Sequence, residues 1–247
     1  MQGVNVKSEI GNLKKVILHR PGDELLNLTP NTLEELLFDD IPFLPVAQEE
    51  HDAFANILRE AGSEVFYMEE LLAEAMDANP VARAAFLDEY MAQAPIPDPA
   101  LVPLVREKLD AIEGNRELVA KALAGMRLHE LDLASGPRTL SRLEGDGLAP
   151  DDFVVYSMPS SYFSRDPIAS IGTGVALHRM YYNQRNREVP FYKTFLTYHP
   201  DFAGTPFWYD NHSAAHIEGG DVLNINETTL AVGISERTEA AAIDTLA

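Results

Sequence analysis

The chain has 247 residues, carries 19 Lys and Arg against 39 Asp and Glu, and contains no cysteine. Its formal charge of −20 argues against nucleic acid and anionic membrane surfaces as partners, because both attract clustered basic residues. The lack of cysteine excludes disulfides, thiolate metal sites and thiol catalysis within these residues. With 46% hydrophobic residues, the chain can bury a core.

The N-terminal residues lack the basic-then-apolar pattern of a signal peptide, and the sequence has no apolar run long enough to span a bilayer. We therefore expect a cytoplasmic protein with no membrane span. The negative charge is spread along the chain, which solubility explains, although an acidic field also favours a cationic substrate.

The first 68 residues alternate between strand and helix patterns. Residues 13–20 and 64–68 predict two strands, and residues 32–37 predict a short helix between them. Residues 46–61 predict an amphipathic helix. Its apolar positions are Val46, Phe54, Ile57 and Leu58.

From residue 69 to about 149 the composition changes to Ala, Leu, Glu and Arg, and strand patterns vanish. This predicts four or five helices in an all-α unit. Strand patterns return at residues 152–156. We therefore predict a helical insertion, residues 69–150, within an α/β domain formed by residues 1–68 and 151–247.

The last hundred residues are rich in strand patterns. Gly172-Thr173-Gly174 predicts a hairpin turn within residues 168–177, and residues 222–225 and 229–232 predict a second hairpin. Residues 191–198 fit either a helix or a strand. Ser235 predicts the N-cap of a helix over residues 236–246.

Two loops carry candidate functional carboxylates. Arg165 and Asp166 lie where a strand ends, a common place for function, although a buried structural pair between them also fits the spacing. Glu218 and Asp221 flank Gly219-Gly220, which allows a ligand to approach closely but is also what a plain hairpin turn needs.

Basic residues are scarce after residue 150, so Arg185, Arg187 and Arg237 stand out there. A guanidinium fork could bind an acidic ligand group, while surface ion pairing is the alternative. His212 and His216 have the i, i+4 spacing of a metal pair, but the glycines that follow argue against a helix. We therefore predict neither a metal nor a cofactor.

Eight segments taken together resemble the arginine deiminase family. In chain order they are residues 8–16, 19–22, 37–42, 46–52, 162–167, 185–188, 217–221 and 232–238. The predicted helical stretch falls where that family carries a helical insertion. The resemblance implies an α/β fold, an incomplete pseudo-fivefold α/β propeller of the pentein type, with an inserted helical bundle.

The same resemblance implies hydrolysis of L-arginine to L-citrulline and ammonia, with no cofactor. An incomplete propeller leaves strand edges and apolar faces uncovered, so a homo-oligomer is a possible assembly. It implies that Asp166 and Glu218 are catalytic residues that hold the guanidinium group. Arg185 and Arg237 match arginines that bind the substrate carboxylate. Phe163 matches the aromatic residue that packs beside the substrate.

Two more residues belong to the implied substrate-binding set. Arg165 is expected to support its loop. Ser160 stands where the family usually has Asn, and its shorter hydroxyl side chain predicts weaker substrate affinity.

The resemblance also places the nucleophilic cysteine and the catalytic histidine outside these residues. We therefore expect this chain by itself to be inactive and to be part of a longer protein.

Two alternatives stay open from the sequence. The chain could be a non-catalytic module that binds arginine or another guanidine, or it could belong to a deiminase or amidinotransferase that acts on a different guanidine. The pair of Arg185 and Arg237 argues against agmatine, because agmatine has no carboxylate to bind.

Overall fold

Short strands and helices alternate in the computed structural model, which describes residues 3–133 and 148–247. The first elements are β1 (Lys15–Leu18), α1 (Asp23–Leu26), α2 (Leu33–Leu36), α3 (Leu44–Glu60) and β2 (Glu64–Tyr67). Four longer helices follow: α4 (Met68–Ala78), α5 (Pro80–Gln93), α6 (Val102–Asp110) and α7 (Asn115–Ala124). The remaining elements are β3 (Met126–Arg127), β4 (Phe153–Val155), β5 (Ile168–Ile171), β6 (Gly174–Leu177), α8 (Val189–Tyr198), β7 (Phe207–Tyr209), β8 (Val222–Asn226), β9 (Thr229–Val232) and α9 (Ala240–Leu246).

The strands form several small sheets rather than one large sheet. β1 pairs with β2 in parallel, and β3 pairs with β4 in antiparallel fashion. β5 and β6 form a hairpin, and β7 returns parallel to β6 after helix α8. This makes a strand–strand–helix–strand unit. The hairpin of β8 and β9, followed by α9, repeats the first three members of that unit.

The main hydrophobic core joins the helical segment to the α/β segment. Phe86 of α5 packs edge-on against Phe191 of α8, with ring centroids 4.9 Å apart. Tyr90 of α5 packs on the same ring at 6.3 Å, and its hydroxyl donates to the carbonyl of Ala122 in α7. These contacts place one continuous core between the predicted insertion and the helix that precedes β7.

Most of the predicted elements are present. The first two strands, the 32–37 helix, the 168–177 hairpin and the 222–232 hairpin all form, and residues 191–198 are helical. Gly172 makes the first hairpin turn possible because its φ of 56° lies in the left-handed region, which a Cβ disfavours. The strand β7 was not predicted from the sequence.

The helix over residues 46–61 forms, but three of its four predicted apolar positions are exposed, and only Leu58 is half-buried. Val46, Phe54 and Ile57 are exposed, at 46%, 51% and 64%. Leu44 and Ala47 instead pack on a small cluster built around the buried leucines of α1 and α2. Because α3 carries apolar residues on two faces, its periodicity does not decide which face is covered.

Two further expectations differ from the structure. The stretch predicted to be all-helical contains β3, a two-residue strand at Met126–Arg127 that pairs with β4. The last helix begins at Ala240 rather than at residue 236. Ser235 does not cap that helix, because its hydroxyl donates to Asp221 and accepts from the backbone N–H of Arg237.

A buried histidine ties the first α/β elements to helix α4. His19, next to β1, is 3% exposed. Its Nδ1 lies 3.0 Å from Glu69 in α4, and its Nε2 lies 3.0 Å from Glu24 in α1. Burial by itself lowers the pKa of His19, but hydrogen bonds and charge from the two carboxylates outweigh it and raise the pKa to about 10. His19 is therefore charged in the folded state.

The bonds of the charged His19 to Glu24 and Glu69 predict a specific loss of stability at alkaline pH. The folded pKa of His19 lies above the unfolded value, so its stabilisation is complete below about pH 6.5 and disappears as the pH rises toward 10. Relative to His19→Gln, the free energy of unfolding of the wild type should fall by up to about 1.4 kcal/mol per pH unit between about pH 7 and 9. Denaturant titrations at several pH values measure this difference.

The exposed His129 provides the comparison variant, and His129→Gln is measured in the same way. Parallel pH profiles for the wild type and His19→Gln would contradict the assignment of a charged His19.

Candidate active site

Asp166 and Glu218 lie on two loops that are joined through their backbones. Asp166 precedes β5, and Glu218 precedes the 3-10 turn Gly219–Asp221 that leads into β8. The N–H of Gly219 donates to the carbonyl oxygen of Asp166 at 3.0 Å. A Cβ on Gly219 would lie 1.9 Å from the carbonyl oxygen of Arg165, so only glycine permits this approach. Gly219 of the Gly-Gly pair therefore serves a close contact between loops rather than a hairpin turn.

Arg165 braces the same two loops. Its Nε donates to the carbonyl of Gly219 at 3.0 Å, and its Nη2 donates to the carbonyl of Val222 at 2.7 Å. Both of its terminal nitrogens also bind the carboxylate of Glu9 at 3.2 Å. The alternative of a structural pair between Arg165 and Asp166 is therefore wrong, because the side chain of Arg165 bonds to Glu9 and to the backbone of the neighbouring loop.

Arg185 is buried between two carboxylates. It is 5% exposed, and its Nε and Nη2 donate to the two oxygens of Glu188 at 2.8 Å each. Its Nη1 donates to Oδ2 of Asp166 at 2.9 Å. Burial alone lowers the pKa of Arg185, but the charges and hydrogen bonds of Glu188 and Asp166 outweigh it and raise that pKa. The guanidinium group is thus charged and fixed in orientation.

A second carboxylate–guanidinium pair forms at Glu218. Nη1 of Arg237 donates to Oε2 of Glu218 at 3.0 Å, and the backbone N–H of Tyr181 donates to Oε1 at 3.1 Å. Arg237 also lies over the ring of Tyr182, 4.6 Å from its centroid, in a cation–π contact. The Glu218 side chain is 6% exposed and that of Arg237 is 35% exposed. Arg237 is therefore the more accessible partner.

Ser160 and Phe163 lie on the turn that leads to Asp166. The N–H of Phe163 donates to the carbonyl of Ser160 at 3.0 Å. Phe163 is 47% exposed and stacks against Tyr162, with ring centroids 4.1 Å apart. Ser160 is 6% exposed. Phe163, like Tyr162 at 36%, thus presents an exposed aromatic ring on this turn, whereas Ser160 does not.

Three other candidates do not join this arrangement. Arg187 is fully buried and donates to the carbonyl of Tyr156 and to the hydroxyl of Tyr90, so it braces the core and is not a surface ion pair. His212 pairs with Glu89, and His216 pairs with Glu239. Within residues 3–133 and 148–247, no group of three or more His, Cys, Asp or Glu side chains could hold a metal ion.

Glu188 is a residue whose role the sequence analysis missed. The signal was available, because an acidic residue three positions after Arg185 can reach back to it on a helical turn. Residues 183–188 do form such a turn, as a 3-10 helix. The partner of Glu188 was not evident from the sequence, because residues 185–188 contain two arginines. Either Arg185 or Arg187 could have faced the site.

The close approach of the two loops can be tested by adding a single methyl group at Gly219. Gly219→Ala should push the Glu218 loop away from Asp166 and lower the free energy of unfolding by about 1–3 kcal/mol, the usual cost of overpacking. Denaturant unfolding measures the change. Gly220→Ala is the matched control, because a Cβ there meets only Oδ1 of Asp166 at an ordinary 3.7 Å. Equal stability of the two variants would contradict the steric role of Gly219.

The chain is thus a mixed α/β protein whose candidate site pairs two carboxylates with two guanidinium groups. No helix in the described ranges, 3–133 and 148–247, has the length and apolar character needed to cross a membrane. Such a site suits a small polar molecule that carries charges of its own.

The family model for arginine deiminase matches residues 34–247. The chain is 48% identical over 246 residues to an arginine deiminase of Streptococcus pyogenes, and the match covers 98% of this chain and 59% of the relative. Arginine deiminases of S. pyogenes serotypes M1 and M3 match equally well. The chain therefore belongs to the arginine deiminase family, whose members are hydrolases that act on carbon–nitrogen bonds in linear amidines. It spans 59% of the length of these relatives.

Proposed function

We propose that this chain binds L-arginine at the Asp166–Glu218 site and forms the substrate-holding part of an arginine-hydrolysing enzyme. The observation that carries the proposal is the pairing of the two carboxylate loops through the Gly219–Asp166 hydrogen bond, with an arginine side chain on each carboxylate. Membership of the arginine deiminase family supports the choice of ligand.

The two ends of arginine need opposite partners, and the site offers both. A carboxylate can accept two parallel N–H bonds from the substrate guanidinium, which fixes its orientation. Asp166 and Glu218 supply such carboxylates. Arg185 and Arg237 supply guanidinium groups for the substrate carboxylate, and Phe163 supplies an apolar surface for the methylene chain.

Binding requires that the side chains of the site exchange partners. A substrate guanidinium that reaches Glu218 replaces the bond from Arg237, so one charge-assisted hydrogen bond is exchanged for another. Once that bond is exchanged, Arg237 can turn toward a ligand carboxylate, because its side chain is 35% exposed. Arg185 is held by both oxygens of Glu188, so it acts as the fixed side of the site.

The hydrolytic step requires a nucleophilic side chain that these residues do not contain. Thiolate attack on the guanidinium carbon needs a cysteine, and none occurs among the 247 residues. We infer that this chain by itself binds arginine without converting it to citrulline. A colorimetric citrulline assay on the purified chain tests the inference. No turnover is expected, and measurable citrulline would contradict it.

We also propose that the strand–strand–helix–strand unit is one blade of a pentein-type propeller. The support is the partial repetition of the unit β5–β6–α8–β7 by β8, β9 and α9, together with the family membership. Division of the chain at residues 69 and 150, self-association and a cytoplasmic location stay predictions from the sequence.

Calorimetry with L-arginine tests the binding proposal. Asp166→Asn should weaken binding by about 10- to 100-fold, because it removes a charged acceptor from the guanidinium. The exposed Asp201 provides a matched control, since Asp201→Asn should bind like the wild type. Equal affinity of Asp166→Asn and the wild type would contradict the assignment.

A comparison of agmatine binding with arginine binding tests whether arginine, rather than another guanidine, is the ligand. It carries the same guanidinium but no carboxylate, so it should bind about 10-fold or more weakly than arginine if Arg185 and Arg237 bind the carboxylate. Agmatine binding as tight as arginine binding would favour a relative that acts on another guanidine.

A further inference from the structure

His178 lies directly beneath the Asp166 loop. It follows the last residue of β6 and is 0% exposed. Its Nδ1 lies 2.7 Å from the carbonyl oxygen of Asp166, and its backbone N–H donates to the carbonyl of Pro167 at 3.0 Å. A carbonyl oxygen can only accept a hydrogen bond, so the ring must carry its proton on Nδ1.

The other ring nitrogen argues against a role in packing alone. Nε2 of His178 is buried and has no hydrogen-bond partner among residues 3–133 and 148–247. An apolar side chain of similar size would fill this position without burying an unpaired polar atom. Burial lowers the pKa of His178 to about 4, against the opposing effects of the Asp166 carbonyl and charge, so the ring is neutral at neutral pH.

The carbonyl oxygen of Asp166 is the point at which three segments meet. It accepts the Nδ1–H of His178 at 2.7 Å and the N–H of Gly219 at 3.0 Å. The first bond comes from the end of β6, in the middle of the three-stranded sheet. The second comes from the loop that carries Glu218. Fixing this one oxygen therefore ties together the backbones of the two loops that carry the candidate carboxylates.

We propose that His178 is a positioning residue, which holds the Asp166 carbonyl so that Asp166 and Glu218 face one guanidinium group together. The proposal rests on the assignment of these carboxylates to arginine binding. His178 touches no ligand in this arrangement and acts through the backbone of Asp166. A donor at the δ position of residue 178 is the chemical requirement.

Three substitutions separate the donor from the bulk of the side chain. His178→Asn places an amide N–H close to the position of Nδ1, His178→Gln moves the donor one bond further out, and His178→Leu fills the space without a donor. Calorimetry on the whole chain measures the affinity of each variant for L-arginine. The affinity of His178→Asn should lie within about threefold of the wild type, whereas His178→Gln and His178→Leu should bind about 10-fold or more weakly, because small displacements of binding groups are costly. Equal affinity of the Leu and Asn variants would overturn the proposal.

A second readout does not depend on arginine. Hydrogen exchange of the Gly219 amide, followed by NMR, reports whether its bond to Asp166 persists. Exchange should stay slow in the wild type and Asn variant and become about 10-fold faster in the Gln variant, and in the Leu variant if it folds. If the wild type fails to bind arginine, the proposed function fails, and the exchange result alone then decides the role of His178. Unchanged Gly219 exchange in the Gln variant would overturn that role.

Discussion

The candidate site depends on the constraint that a buried charge must be paired. Arg185 meets that constraint through three charge-assisted bonds, two to Glu188 and one to Asp166. Removing either carboxylate would leave a guanidinium group in the interior without full compensation. Glu188 follows Arg185 by three residues in the turn of residues 183–188, so local helical geometry brings this pair together, whereas the bond to Asp166 comes from a separate loop.

The pairing also explains why two loops distant in sequence form a single site. Asp166 contributes its side chain to Arg185 and its carbonyl oxygen to Gly219 and His178. Backbone and side chain of the same residue are therefore fixed by different neighbours. Because neighbouring residues hold both the backbone and the carboxylate of Asp166, this residue needs little rearrangement when it binds a ligand. Such preorganisation is the condition for orienting a guanidinium group.

The sequence predicted the order of the elements well because strands, helices and turns leave local signals. The residues Gly172-Thr173-Gly174 were enough to predict the 168–177 hairpin. The covered face of α3 was not predictable, because Val46 and Leu44 are both apolar and only the position of the α1–α2 leucines decides between them. β7 was missed because its three residues, Phe207–Tyr209, are too few for a periodic pattern.

The folding order of the protein follows from the bonds of Arg165. Its bonds to Gly219 and to Glu9 join residues 54 and 156 positions apart, whereas the backbone hydrogen bonds that form each of the helices α4 to α7 are local. Closing long loops costs more chain entropy than forming a helix, so non-local contacts are slow to form. We expect the helices to form early and the carboxylate loops to assemble late, which makes the binding region the slowest part of the molecule to acquire its native geometry.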